Sequence, residues 1–192
     1  DGADIDWEFP EPFEPSFSDF VSLMKELGDS LRPAGKKLTA AVESHHEHYT
    51  YGVSDEVFPI VDWLNIMTYD NEYIGSHRPH PLTPHSPYWL QLIAYDQWVT
   101  QRGLPREKAV MGVPFYGKAK NRRGLPFHRL LALGADPYSD VFADRDSDTP
   151  DSVYYNGIRT IRKRTRHAME HAAGIMIWQI LEDTTGGYSL LK

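Results

Sequence analysis

The sequence predicts an α/β fold, with a parallel sheet curved into a (β/α) barrel, on three observations. Five short segments have strand character: 2–9, 37–44, 61–70, 109–117 and 174–181. They are more continuously apolar than alternating, as strands buried on both faces are. Helical patterns lie between them, which calls for parallel pairing through right-handed crossovers. No Gly-rich phosphate loop follows any strand, so a doubly wound nucleotide-binding sheet is disfavoured and the barrel preferred.

The elements follow in chain order. "GADIDWEF" (2–9) opens as a strand, and "SFSDFVSLMKELGDSLRP" follows as a helix with Phe17, Phe20, Val21, Met24, Leu27 and Leu31 on one stripe. Ser16 is its expected N-cap and Arg32-Pro33 its stop. "KLTAAVES" (37–44) and "VDWLNIMTYD" (61–70) are the next two strands. "SPYWLQLIAYDQWVTQRGLP" reads as a helix capped by Ser86, with Pro87 first and Gly103 at its end. "AVMGVPFYG" (109–117) is the fourth strand. Residues 118–153 read as a loop excursion with one short helical candidate at "FHRLLAL". In "NGIRTIRKRTRHAMEHAAG" the residues Ile158, Ile161, Thr165, Ala168 and Ala172 recur at helical spacing, leaving a basic solvated face. "GIMIWQIL" (174–181) is the fifth strand.

Length and charge exclude several classes. The 192 residues suffice for one sizeable core, and no apolar run is long enough to span a membrane. A net charge of -7 argues against a nucleic-acid partner, which calls for a basic face. With no cysteine, neither a disulfide framework nor a thiolate metal site is available. The chain begins at Asp1, directly in its first strand, and is expected to be a piece of a longer protein.

The opening "DGADIDWEFP" carries four carboxylates and no basic residue. In a strand, Asp4, Asp6 and Glu8 share one face at intervals of roughly 6.6 Å, while Ala3, Ile5 and Trp7 share the other. If the apolar side packs on helices, the acids face the barrel interior. Such a row cannot ionise fully without repulsion, so shared protons and coupled titration are expected. A Ca²⁺ or Mg²⁺ site and a solvated acidic edge are the alternatives. A strand wraps an ion poorly, and the interleaved apolar residues do not suit a solvated edge. A general acid kept protonated by its neighbours accounts for the pattern best.

"DGADIDWE" resembles the DGxDxDxE signature of glycoside hydrolase family 18, the chitinases and their relatives, at every fixed position. "MTYD" (67–70), "MGVPFYG" (111–117) and "GIMIWQILED" (174–183) resemble the sixth, seventh and eighth strands of that family's TIM (β/α)8 barrel, the signature being its fourth. The resemblance implies a partial family 18 catalytic domain over 1–192, an incomplete barrel lacking the first three βα units and inactive or weak alone. It also implies substrate-assisted hydrolysis with retention of configuration. Glu8 matches the acid/base, Asp6 the residue that orients the substrate's acetamido group, and Asp4 its supporting carboxylate. Tyr69 would hydrogen-bond that acetamido group, Met67 and Asp70 would line the same subsite, and Trp178 would form the apolar floor. By residue type alone, Trp178 and Met67 also suit a core, and Tyr69-Asp70 a turn; the C-terminal ends of barrel strands favour the site reading.

Tyr116 is a further cleft candidate, and Glu43 is expected to contact substrate or water. "ESHHEHY" (43–49) invites a metal reading but lacks helical ligand spacing, so a loop at the cleft mouth is preferred and no metal or other cofactor is expected. The histidines of "HRPHPLTPH" (77–85) are assigned to solubility, and Trp89 and Trp98 to packing. The implied partner is chitin or N-acetylglucosamine oligosaccharides, with no nucleic acid and no membrane. An endo-N-acetylglucosaminidase on N-glycans, a peptidoglycan glucosaminidase and a non-catalytic lectin are the alternatives. Because chitin is insoluble, export of the parent protein is expected.

Overall fold

A computed structural model describes residues 1–70, 85–119, 124–144 and 151–192. Its centre is a parallel sheet of β1 (Gly2–Ile5), β2 (Lys37–Glu43), β3 (Trp63–Met67), β4 (Ala109–Pro114) and a last strand, Gly174–Trp178, ordered as in the chain. All four pairings are parallel. When strands follow chain order, right-handed crossovers place every helix on one face. Outward-facing Leu38, Ala40, Val42, Leu64, Ile66, Ala109 and Met111 accordingly join one core with Phe20, Met24, Ala94, Trp98 and Ala168 from the helical layer. The opposite face carries Thr39, Ala41 and Asn65, with Trp63 and Met67 at the two ends of β3. Ala3, Ile5 and Trp7 pack on the core, Trp7 edge-on to Phe20, so alternation turns Asp4, Asp6 and Glu8 to the open face.

Helix α1 (Pro15–Leu31) buries Phe20, Val21 and Met24, as its stripe requires. Ser16 is not its N-cap. It lies inside the first turn and accepts a bond from the Glu11 amide (2.9 Å), while Glu14 holds the cap position without a side-chain bond. The helix ends in a tight turn at Arg32–Ala34, and Gly35 (φ 65°) takes the left-handed position beyond it. A single turn, α2 (Glu47–Thr50), follows β2.

Helix α3 (Tyr88–Tyr95) runs into a wider turn at Asp96–Gln101. The expected Ser86 cap is also corrected. Pro87 occupies the cap position, and the Ser86 hydroxyl instead donates to the Thr68 carbonyl (2.8 Å). Trp98 is fully buried, whereas Trp89 is 44% exposed and packs little.

The excursion after β4 holds more structure than its sequence suggests. It contains β5 (Tyr116–Gly117) paired with β6 (Leu125–Pro126), α4 (Phe127–Ala132), and an antiparallel pair of β7 (Val141–Asp144) with β8 (Asp151–Tyr154). Strands of two to four residues leave no periodic signal, and they are held by the second core of Phe115, Phe127, Leu130, Val153 and Tyr155. In α5 (Ile158–His171) the buried residues are Ile158, Ile161, Arg164 and Ala168, so Arg164 replaces the expected Thr165 and the basic face is not wholly solvated. The last strand, Gly174–Trp178, is β9. Among the described residues no helix is long and apolar enough to cross a membrane.

Candidate active site

The C-terminal ends of the parallel strands gather the carboxylates and aromatic side chains on the open face. Asp4 is fixed by its neighbours: the Thr39 hydroxyl (2.5 Å) and the Asn65 amide (3.0 Å) both donate to its Oδ1. The Trp63 indole donates to Asn65 Oδ1 (3.2 Å), so Asn65 must present its NH₂ to Asp4. Thus β2 and β3 orient the first acid of the β1 row. Burial and then the Asp4 charge raise the Asp6 carboxyl above its ordinary range. Glu8 is raised by burial, by Asp6 and by Asp70, against the opposing pull of Lys118. The side chains remain accessible on this open face. Glu8 is therefore biased toward the protonated form that a general acid needs.

A second cluster stands at the ends of β3 and β4. Asp70, in the left-handed region (φ 59°), directs Oδ1 to the Tyr116 hydroxyl, which donates at 2.7 Å, and Oδ2 to Lys118 Nζ at 2.9 Å. His85 Nδ1 lies 3.4 Å from Asp70 Oδ1, a polar contact short of a well-formed hydrogen bond. Burial raises the Asp70 pKa, and the contacts with His85, Lys118 and Tyr116 more than reverse it, to about 2. Asp70 is therefore a fixed negative charge at neutral pH. Burial and the surrounding carboxylates push both Tyr69 and Tyr116 well above the ordinary phenol range, so both remain O–H donors. The Tyr69 hydroxyl is buried without a hydrogen-bond partner among the described residues. Gly112 makes room for its ring, since a Cβ there would stand 2.9 Å from Tyr69 Cε1.

The other sequence candidates fall in different places. Met67 is half-buried at the end of β3, beside Glu43 in the register. Trp178 is 49% exposed, and alternation with the packed Ile175 and Ile177 turns it to the open face. Glu43 points into its own loop: Oε2 accepts from the amides of His45 and His46 (2.6 Å each), and Oε1 from the Ser44 hydroxyl (3.0 Å). That leaves Glu43 as an anchor of the β2–α2 loop. His46 and His48 pack their rings near Tyr49, and His48 pairs with Glu11.

His85 is the residue the sequence reading missed. It is 1% exposed, its ring lies tilted 5.1 Å from the Tyr116 ring, and neither ring nitrogen makes a hydrogen bond among the described residues. Its solubility assignment is thereby corrected; His77 and His80 of the same stretch lie outside the described residues. A cavity of about 420 Å³ lies at the opposite end of the strands, lined by Lys37, Asp62 and Lys108. Of its cations, Lys37 is engaged with Asp62, Lys108 with the Phe58 and Val61 carbonyls, and Arg32 with the Ile60 carbonyl.

The family model of the glycosyl hydrolases family 18 matches residues 1–183. The chain belongs to that family. "Probable chitinase 10" of Drosophila melanogaster is 32% identical over 146 residues, covering 65% of this chain and 6% of that protein. The "Endochitinase" of Manduca sexta is 31% identical over 160 residues, covering 71% of this chain and 29% of its own length. The chain thus spans less than a third of either relative. Among solved structures, the family 18 chitinase ChiB from the chitin utilization locus of Flavobacterium johnsoniae superimposes with a TM-score of 0.78 at 31% identity, over 100% of this chain and 58% of that one. The five-stranded sheet is therefore an incomplete TIM-barrel wall, a partial (β/α)8 barrel as the sequence predicts.

Proposed function

We propose that this chain is the acid-bearing part of a family 18 catalytic domain that hydrolyses β-1,4-linked N-acetylglucosamine chains. One observation carries the proposal. The Asp4–Asp6–Glu8 row, with Asp4 anchored and Asp6 and Glu8 raised, shares an open face with a buried, unpartnered Tyr69 hydroxyl.

The chemistry follows from those groups. Glu8 in its protonated form gives its proton to the glycosidic oxygen as the C1–O bond breaks. No protein nucleophile is required, because the sugar's own acetamido oxygen attacks C1 and forms a cyclic oxazolinium. Asp6, ionised at that moment, accepts the acetamido N–H and offsets the developing positive charge. The Tyr69 O–H, having no internal partner to give up, donates to the acetamido oxygen. Water then attacks C1 as the bond from C1 to the acetamido oxygen breaks and the acetamide is restored; Glu8 takes the water's proton, and the product keeps the starting configuration. The indole of Trp178 supplies an apolar floor for the sugar ring. Asp70 holds Tyr116 and Lys118 at the cleft edge.

Chitin oligosaccharides are the proposed partners, and export of the parent protein is proposed because the polymer is insoluble. The three βα units that would close the barrel are assigned to the parent chain, and the piece alone is expected to turn over weakly. The test is chitotetraose hydrolysis by the completed domain and by Glu8→Gln, with products separated by mass. Loss of at least about 10³-fold in kcat is expected for the variant; full turnover by Glu8→Gln would remove the proposal.

A further inference from the structure

A buried arginine with no carboxylate among its hydrogen-bond partners in the described residues stands directly behind the site. Arg164 of α5 is 0% exposed. Its Nη2 donates to the Thr68 carbonyl (2.9 Å), the Thr68 hydroxyl (2.5 Å) and the Gly112 carbonyl (2.8 Å). Nη1 donates to Asn156 Oδ1 (2.5 Å), to the Ser86 carbonyl (3.2 Å) and to the Ser86 hydroxyl. Nε donates to Gln91 Oε1 (3.0 Å).

The acceptors are themselves cross-linked. The Thr68 hydroxyl donates to the Gly112 carbonyl (2.6 Å), Ser86 to the Thr68 carbonyl (2.8 Å), and the Asn156 amide to the Ser86 carbonyl (2.8 Å). Gln91 cannot turn over, because its amide NH₂ also donates to the Arg164 carbonyl (2.9 Å). Burial lowers the guanidinium pKa to about 9, so the group stays charged at neutral pH. Desolvating a cation against neutral acceptors is costly, and an apolar side chain would fill the same space at lower cost.

The geometry points to a use for that cost: we infer that Arg164 is a positioning residue that aims Tyr69 at the substrate. Thr68 is the residue before Tyr69, and Gly112 is the residue over which the Tyr69 ring lies. One planar fork therefore fixes both the backbone that carries the phenol and the floor beneath its ring. The five N–H groups of a guanidinium can bridge two strands and a loop at once; an ammonium has three donors at one point and cannot. The inference rests on the function proposed above, since it matters only if the Tyr69 hydroxyl meets the substrate.

A double-mutant cycle tests it in the completed domain: Arg164→Lys, Tyr69→Phe and both together, with kcat and KM on chitotetraose. Each single change is expected to lower kcat about 30-fold with KM within about threefold. The pair is expected to fall no more than about threefold below Tyr69→Phe alone, because the arginine has nothing left to aim. A merely structural role would lower activity by the same factor in both backgrounds, giving about 1000-fold for the pair, and that result overturns the inference. If Arg164→Lys does not fold, the near-isosteric Thr68→Val runs the same cycle and is judged by the same criterion. Glu8→Gln run in parallel separates the failures. Its inactivity with an additive cycle refutes the positioning role alone; its full turnover removes the proposed function and the inference with it.

Discussion

Replacing Asp70 by Asn removes a charge while leaving the backbone geometry in place, because Asn tolerates the left-handed φ of 59° that Asp70 adopts. The carboxylate is held at a pKa of about 2 against an ordinary 3.8. That displacement corresponds to about 2.4 kcal/mol of native-state stabilisation if undiluted. The side chain is 38% exposed, so screening reduces the expected cost of Asp70→Asn to about 1 kcal/mol at about pH 7. The sign follows from linkage: a depressed native pKa gives stability that is complete above the unfolded value and is lost as the pH falls through the native one. The difference between the two proteins is therefore expected to hold constant down to about pH 5, to be roughly halved near pH 3, and to vanish below about pH 2. Urea unfolding of both proteins at stepped pH measures it. A difference that stays constant across the acid range, or grows as the pH falls, would refute the argument that Lys118, His85 and Tyr116 act on an ionised Asp70.

Three further outcomes follow from the same contacts. Asp70 and Asp6 raise Glu8 while Lys118 lowers it, so Lys118→Met is expected to move the basic limb of the pH–activity profile upward and Asp70→Asn to move it downward; profiles of kcat/KM read both. Trp178→Ala removes a half-exposed indole and is expected to weaken chitotetraose binding by about 2 kcal/mol, roughly 30-fold, with little change in melting temperature. Thr39→Val strips one donor from Asp4 and is expected to lower kcat on chitotetraose about threefold with KM little changed, since one of the two bonds that orient the carboxylate is lost.

The sheet was legible because its strands are short, apolar and bounded by helical stripes, and because alternation alone assigns Asp4, Asp6 and Glu8 to one face. The hydrogen bonds that orient Asp4 were not, since Thr39 and Asn65 lie 35 and 61 residues away and meet it only through the register. Ser16 and Ser86 show a different limit. Both have the chemistry of an N-cap, but their hydroxyls found other partners, the Glu11 amide and the Thr68 carbonyl. Glu43 lies at the end of a strand where contact with substrate or water is expected, and the structure adds that the amides of its own loop donate to its carboxylate. Histidine in a Pro-rich stretch and arginine in a basic helix usually lie at the surface, yet His85 and Arg164 are buried. A helical wheel centred on Ile161 and Ala168 places Arg164 on the buried side and is the signal that could have found it.

The central claim is that the acetamido group of the substrate, aimed by Asp6 and Tyr69 and with Glu8 as its proton donor, displaces the leaving sugar. Proton NMR of the first hydrolysis product of chitotetraose, read before mutarotation, tests it most directly in the completed domain. The β-anomer is expected at the newly formed reducing end, with its formation abolished in Glu8→Gln. An α-anomer, produced by direct attack of water, would contradict it.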